Sequence, residues 1–148
     1  MTPRILGLDP GERRIGVAVS DPSGTIASPH SYVDAGSDAV EQIRSLCGEL
    51  GVSTIVIGLP LRLDGGEGPA ARHSRRLGAE LSTALDVAVE YWDERFTSVT
   101  AENAMLQGNV RRKKRKEKRD QIAAAVMLQG YLDRQAHDER DTNEWRGG

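Results

Sequence analysis

The spacing of apolar and polar residues changes along the chain, and the change predicts its secondary structure. Two runs rich in Ile, Leu and Val, residues 4–9 and 15–20, flank the turn PGERR, and a third candidate strand, 26–33, follows the turn DPSG. Such short connections favour neighbouring strands that run in opposite directions. The first third of the chain therefore predicts an antiparallel meander of three strands.

The rest of the chain alternates helices with strands. A continuous apolar run is typical of a strand covered on both faces, and a spacing of three to four residues indicates a helix. We expect a helix over 38–50, a strand over 53–60, a helix marked by Leu77, Leu81 and Leu85, a strand from 87 to the acids at 93 and 94, and helices over about 98–107 and 120–134. This order predicts an α/β domain with a mixed central sheet.

Length and composition indicate one domain. The chain has 148 residues, of which 38% are hydrophobic, enough to bury a real core. We assign residues 1–135 to this domain and expect the polar segment 136–148 to be a disordered tail. Neither a signal peptide nor a membrane span is evident, so we expect a cytoplasmic protein. Cys47 is the single cysteine, which excludes disulfides within the chain and cysteine-based zinc sites. It lies on the apolar face of the helix expected over 38–50, so we expect it to be buried as a small hydrophobic residue.

Three acids stand at the ends of predicted elements. Asp9 ends the first strand, Glu94 ends the last strand, and Asp120 opens the final helix. Ligands collect at the carboxyl ends of parallel strands, so these acids could converge on one edge of the sheet. Because clustered carboxylates repel one another, divalent cations best explain such a cluster, and oxygen ligands favour Mg²⁺ or Mn²⁺. Two such ions could activate a water for hydrolysis of a phosphodiester.

Each acid also has a simpler structural explanation. Asp9 precedes Pro-Gly and could begin a turn, Glu94 could pair with Arg95 or Arg13, and Asp120 could cap a helix. The three acids together, beside a basic segment, favour the metal site, but sequence spacing alone does not demonstrate convergence.

Positive charge is concentrated in one segment. The net charge is -2, yet residues 111–119, RRKKRKEKR, hold eight of the 20 basic side chains. Such a run on an otherwise acidic body is either an element that binds phosphate or a solvated charge run. Arginines near the loop 61–69 are further candidates for a nucleic-acid backbone. The full set of candidate contacts is Arg62, Arg75, Arg76, Arg111, Arg112, Lys113, Lys114, Arg115 and Lys116.

Four separated blocks resemble the signatures of one family. They are GLDPGERRIGVAVSD, GLPLRLDGGEGP, DERFTS and DQIAAAVMLQGYLD, in this order between residues 5 and 134, and they are similar to the YqgF/RuvX family. The resemblance implies an RNase H-like fold, with a mixed five-stranded sheet and flanking helices, and an acidic, metal-dependent nuclease site. It assigns the acids of that site to Asp9, Glu94 and Asp120.

The chain departs from the family pattern at a few positions. Arg119 stands where an aliphatic residue is expected, and Arg62 where a small polar residue is common. Related resolvases often have four acids. Asp21 and Asp93 are further candidates for supporting roles here.

The resemblance implies two substrates, since family members are described as nucleases that mature the 5′ end of 16S ribosomal RNA or as Holliday junction resolvases. We favour the first, because the sequence shows no obvious interface for the two-fold dimer that symmetric junction cleavage requires. The alternatives are junction resolution and a binding module without catalysis. Expected partners are structured RNA or branched DNA and ribosomal precursor particles, with the protein a monomer or homodimer. An actin-like kinase is disfavoured, because it needs two such domains.

Overall fold

The computed structural model describes residues 3–96 and 112–146, and in its last helix it describes the side chains of 121–138. The strands are β1 (Arg4–Pro10), β2 (Arg14–Ser20), β3 (Ala27–Asp34), β4 (Val52–Leu59) and β5 (Ala88–Asp93), and the helices are α1 (Ala39–Leu50), α2 (Pro69–Ala84) and α3 (Arg112–Arg146). A short 3₁₀ turn, Glu94–Phe96, follows β5.

The five strands form one mixed sheet in the order β3-β2-β1-β4-β5. The first three strands pair antiparallel, which confirms the predicted meander. β4 pairs parallel with β1, and β5 pairs parallel with β4. The carboxyl ends of β1, β4 and β5 therefore share one edge of the sheet, which we call the carboxyl edge.

One face of the sheet is covered by α1 and α2. Leu6, Leu8 and Ile57 of the strands pack with Ile43 of α1 and Leu81 of α2, and all five are buried. Removing such side chains from water is the main driving force for this layer. Cys47 is buried in the same cluster, as its position on the apolar face of the helix predicted, and burial raises the pKa of its thiol.

The other face is covered by α3. Val56, Trp92, Ala124 and Leu128 belong to this second cluster of buried residues. The helix lies very close to β1, because a Cβ atom on Gly7 would be only 2.9 Å from Leu128 Cβ. A glycine at this position allows the helix and the strand to approach so closely.

Polar contacts also hold α3 on the sheet. Gln129 accepts a hydrogen bond from the Ala27 amide at 2.8 Å and donates one to the Thr25 carbonyl at 2.9 Å. The Tyr131 hydroxyl donates to the Glu90 carboxylate of β5. Desolvation, and then this bond, raise the pKa of Tyr131 well above its usual value.

The main difference from the expected elements is the length of α3. It begins at Arg112, not near residue 120, and continues to Arg146, not 134, through the segment for which we expected disorder. The added residues contain neither proline nor glycine, and Lys, Arg, Glu and Ala are good helix formers. Asp133–Asp138 are exposed, so this part of the helix adds no buried side chain to the core. The helix expected over 98–107 lies outside the described residues.

No helix in the described parts of the chain is both long enough and apolar enough to cross a membrane.

The close contact between Gly7 and Leu128 makes a stability prediction. Gly7→Ala forces β1 and α3 apart and should lower the free energy of unfolding by about 1–3 kcal/mol. Gly48→Ala is the matched control, because Gly48 is exposed within α1 and no atom lies near its would-be Cβ. The control should stabilise the protein by about 1 kcal/mol. Urea denaturation measures both variants, and equal stabilities would contradict the close packing.

Candidate active site

Asp9 lies where β1 reaches the carboxyl edge. Its backbone pairs with Gly16 of β2. Side chains alternate between the faces of a strand, and Leu6 and Leu8 point into the core under α1 and α2. The side chain of Asp9 therefore lies on the α3 face, as the contact between Gly7 and Leu128 also indicates. It is partly buried.

Glu94 follows the last residue of β5 and opens the 3₁₀ turn. Its carboxyl group lies against β4, because a Cβ atom on Gly58 would be 2.5 Å from Glu94 Oε1 and 3.3 Å from Glu94 Cδ. Any side chain at position 58 would collide with this carboxylate. Glycine at Gly58 thus allows Glu94 to lie across the neighbouring strand.

The strand register brings Glu94 and Asp9 together. Leu8 pairs with Ile57, so Asp9 lies beside Gly58 one residue further along the two strands. Gly58 and Val56 share a face, which is the α3 face that Asp9 also occupies. Since neighbouring strands are about 4.8 Å apart, the Glu94 carboxylate over Gly58 is a close neighbour of Asp9.

The alternative in which Glu94 pairs with an arginine does not hold among the described residues. Arg95 instead pairs with Asp93, through Nη2 and Oδ2 at 2.6 Å. This side-chain hydrogen bond, more than any other cause, lowers the pKa of Asp93. No ion pair of Glu94 occurs within the described part of the chain.

Asp21, a further candidate, lies away from this edge. It follows β2, which runs antiparallel to β1, so it lies at the opposite edge of the sheet. Its carboxylate accepts hydrogen bonds from the amides of Ile26 and Thr25 and from the Ser23 hydroxyl. These bonds, led by the one from Ile26, lower the pKa of Asp21 to about 2. Asp21 is thus a turn residue, and its expected supporting role is wrong.

Asp120 lies in α3, eight residues before Leu128, which is about 12 Å along the helix axis. Its side chain lies outside the described set, and residues 3–96 and 121–138 contain no group of three potential metal ligands. The basic run lies at the start of the same helix. Its residues 112–119 belong to α3, and residue 111 falls outside the described residues.

Arg62 lies in the loop that follows β4 at the carboxyl edge. Its amide donates to the Gly66 carbonyl at 2.9 Å, and its carbonyl accepts from the Gly65 amide at 2.8 Å. A hydrogen bond of 2.8 Å from the Gly66 amide to Asp64 Oδ1 tightens the same turn. The turn thus gives the loop a defined shape, and the loop contacts Arg95, the residue that follows Glu94.

Arg75 and Arg76 lie on α2, which covers the other face of the sheet. Arg75 is paired with Glu67 at 2.6 Å and lies over the ring of Tyr91. Arg76 lines a cavity of about 260 Å³ together with His73, Glu12 and other residues. The structure therefore separates these two arginines from the face that carries Asp9 and Glu94.

Two residues that the sequence reasoning missed shape this site. The sequence predicts Gly58 only as part of an apolar strand and Arg95 only as a partner for Glu94. The signal for Gly58 was a glycine in an otherwise aliphatic strand, which indicates a close approach by another group.

Comparison with known proteins agrees with the fold and the motifs. The family model described as "RuvX: Holliday junction resolvase" matches residues 3–134. A Clostridium botulinum protein called "Putative pre-16S rRNA nuclease" is 45% identical over 133 residues, covering 88% of this chain and 97% of the relative. A Chloroflexus aggregans protein of the same name is 47% identical over 131 residues, covering 87% and 92%.

Solved structures share the fold at low sequence identity. RuvC of T. thermophilus, in complex with a Holliday junction substrate, matches with a TM-score of 0.52 at 14% identity, covering 88% of this chain and 95% of RuvC. The fowlpox virus Holliday junction resolvase matches with a TM-score of 0.53 at 10% identity, covering 88% and 97%. These matches confirm the expected RNase H-like fold. With the family match and the close relatives, they establish that the chain belongs to the RuvX family.

Proposed function

We propose that this protein is a divalent-metal-dependent nuclease that processes the 5′ end of precursor 16S ribosomal RNA. The observation that carries the proposal is the pair of carboxylates, Asp9 and Glu94, on one face of the sheet at its carboxyl edge. The name shared by the close relatives supports this substrate, which also requires the expected cytoplasmic location.

The residues at this edge fit Mg²⁺ or Mn²⁺. The donors of Asp9 and Glu94 are carboxylate oxygens, and Mg²⁺ commonly retains several waters and is held by only one or two carboxylates. When bound, such an ion activates a water and stabilises the leaving oxygen of a phosphodiester. Asp9 and Glu94 would hold the ion, and Gly58 gives Glu94 the space to lie beside Asp9.

Asp120 is the proposed third ligand. Leu128 packs on Gly7, two residues before Asp9, whereas the next residue, Gln129, reaches the start of β3. The packed part of α3 thus passes directly under the strand that carries Asp9. Asp120 lies earlier in the same helix, in the block DQIAAAVMLQGYLD within the region of the family match, and this supports the assignment.

The proposed substrate contacts come from two places. Arg62 lies in the loop that contacts Arg95, and the basic run 112–116 begins the helix that contains Asp120. Their positive charges would bind backbone phosphates without reading bases. Arg75 and Arg76 lie on the opposite face, so they would contact only a substrate that extends around the sheet.

Junction resolution is the second candidate, favoured by the description of the family model and by the shared fold with RuvC. It requires two active sites and hence a homodimer, whereas trimming an RNA end requires one site. A binding module without catalysis is the third candidate. It has no need of paired carboxylates at a strand edge.

Asp9→Asn removes one negative charge with little change in shape. Cleavage with Mg²⁺ should fall about 100-fold or more, because the site loses electrostatic stabilisation of its ion and transition state. Asp86→Asn is the matched control, since Asp86 is exposed and precedes β5 at the opposite edge. Initial rates on a precursor RNA fragment and circular dichroism check both variants. Parental activity in folded Asp9→Asn would contradict the proposal.

The basic run should produce a steep salt dependence of binding. Each phosphate contact contributes about 0.9 log units of affinity per tenfold change of salt for duplex DNA and about 0.7 for single strands. Charge reversal of Lys113, Lys114 and Arg115 to glutamate should flatten the slope accordingly. Reversal of Arg44, exposed on α1, should leave it unchanged. An unchanged slope in the triple variant would leave the run a solvated charge segment.

A parallel assay separates the two substrates. The purified protein with Mg²⁺ or Mn²⁺ is given a precursor ribosomal RNA fragment and a synthetic four-way junction, and its mass in solution is measured. We expect cleavage at the RNA 5′ end. Symmetric nicking of the junction by a dimer, with the RNA intact, would favour the resolvase instead.

A further inference from the structure

Arg95 is exposed, yet it makes several hydrogen bonds to Asp93 and to the loop after β4. Its Nε lies 3.0 Å from both carboxylate oxygens of Asp93, and its Nη2 donates to Asp93 Oδ2 at 2.6 Å. The Arg95 amide also donates to Asp93 Oδ1 at 2.9 Å. Main chain and side chain of Arg95 thus close around the carboxylate of Asp93, and Glu94 lies between these two residues.

The same guanidinium contacts the loop that follows β4. Its Nη1 donates to the Leu63 carbonyl at 3.3 Å. Gly65 lies in the same loop beside this guanidinium, 3.6 Å from its Nη1 to the position of a would-be Cβ, and its φ of +89° is a conformation that favours glycine. Arg95 therefore ties the end of β5 to the loop that carries Arg62.

These contacts fix the short turn from which Glu94 projects. The turn has only three residues, so its own hydrogen bonds hold it weakly. We call the contacts of Arg95 with Asp93 and with the Leu63 carbonyl the clamp. The Glu94 side chain extends away from the clamp and across Gly58. A small rotation of the turn would move the Glu94 carboxylate away from Asp9.

We propose that Arg95 is a positioning residue, which holds Glu94 beside Asp9 by clamping Asp93 and the Leu63 carbonyl. The inference rests on the proposed function, because it concerns the ion that Asp9 and Glu94 would hold. Arg95 itself does not ligate that ion.

The clamp is separable from folding. The side chain of Arg95 is 36% exposed, and ion pairs at such positions contribute little to global stability. The planar guanidinium supplies three nitrogens in a fixed fork, whereas a lysine supplies one rotating donor group. Lysine at this position should therefore restore the clamp only in part.

The test compares Arg95→Ala and Arg95→Lys with Arg44→Ala. Arg44 is the matched control, since it also contacts one carboxylate, Glu41, and one carbonyl, that of Ala84, but on the far side of the sheet. Mn²⁺ affinity of the full chain without nucleic acid is measured by calorimetry, together with the melting temperature. We expect the Mn²⁺ Kd to rise about 10-fold in Arg95→Ala and less in Arg95→Lys. Arg44→Ala should bind like the parent.

Two further outcomes decide how Arg95 acts. If it acts through Asp93, Asp93→Asn combined with Arg95→Ala should weaken Mn²⁺ binding no more than Arg95→Ala alone. Unchanged Mn²⁺ affinity with weaker RNA binding would make Arg95 a substrate contact and overturn the inference. A lower melting temperature in both Arg95 variants and in Asp93→Asn would show that the role of Arg95 is structural. This result would also overturn the inference.

Measurements on the parent protein distinguish a failure of this inference from a failure of the proposed function. A parent that neither binds Mn²⁺ nor cleaves RNA or junctions overturns the proposed function, and the inference with it. A parent that does both, with Mn²⁺ affinity unchanged in Arg95→Ala, overturns the role of Arg95 alone.

Discussion

The parallel pairing of β1 with β4 and of β4 with β5 is the constraint on which the candidate site depends. It aligns three carboxyl ends at one edge, and its register sets Asp9 beside Gly58 and Gly58 beside Trp92. A shift of one residue would turn Asp9 to the other face, into the layer formed by Leu6 and Leu8. The apolar pattern of β1 prevents that shift, so the same residues that build the core also orient the acid.

Two glycines allow other elements to contact the aligned strands closely. Gly7 lets α3 lie directly on β1, and Gly58 lets the Glu94 carboxylate lie on β4. Glycine weakens a strand, because it loses more conformational freedom on folding and has no side chain to pack. Both positions therefore allow close approach at a cost in strand stability, on the face that carries Asp9 and the Glu94 carboxylate.

The sequence predicted most of the fold, because strand and helix periods differ and the turns are short. Local pattern alone predicted the meander, the strand β4 and the burial of Cys47 on the apolar face of α1. It did not predict the ends of α3, since the extensions of this helix are polar in sequence and show no apolar pattern of helical period that would have marked them. Asp9 and Glu94 could be identified as candidates, but their proximity depends on register across three strands. The roles of Gly58 and Arg95 depend on the same contacts between distant residues, which no local pattern records.

Asp9 and Glu94 are proposed to hold a divalent cation together. A crystal structure of the protein soaked in Mn²⁺, with the ion located by its anomalous scattering, tests this proposal most directly. We predict a peak at the carboxyl edge of the sheet, coordinated by oxygens of both Asp9 and Glu94. Mn²⁺ bound elsewhere, with these two carboxylates turned away from each other, would contradict the account.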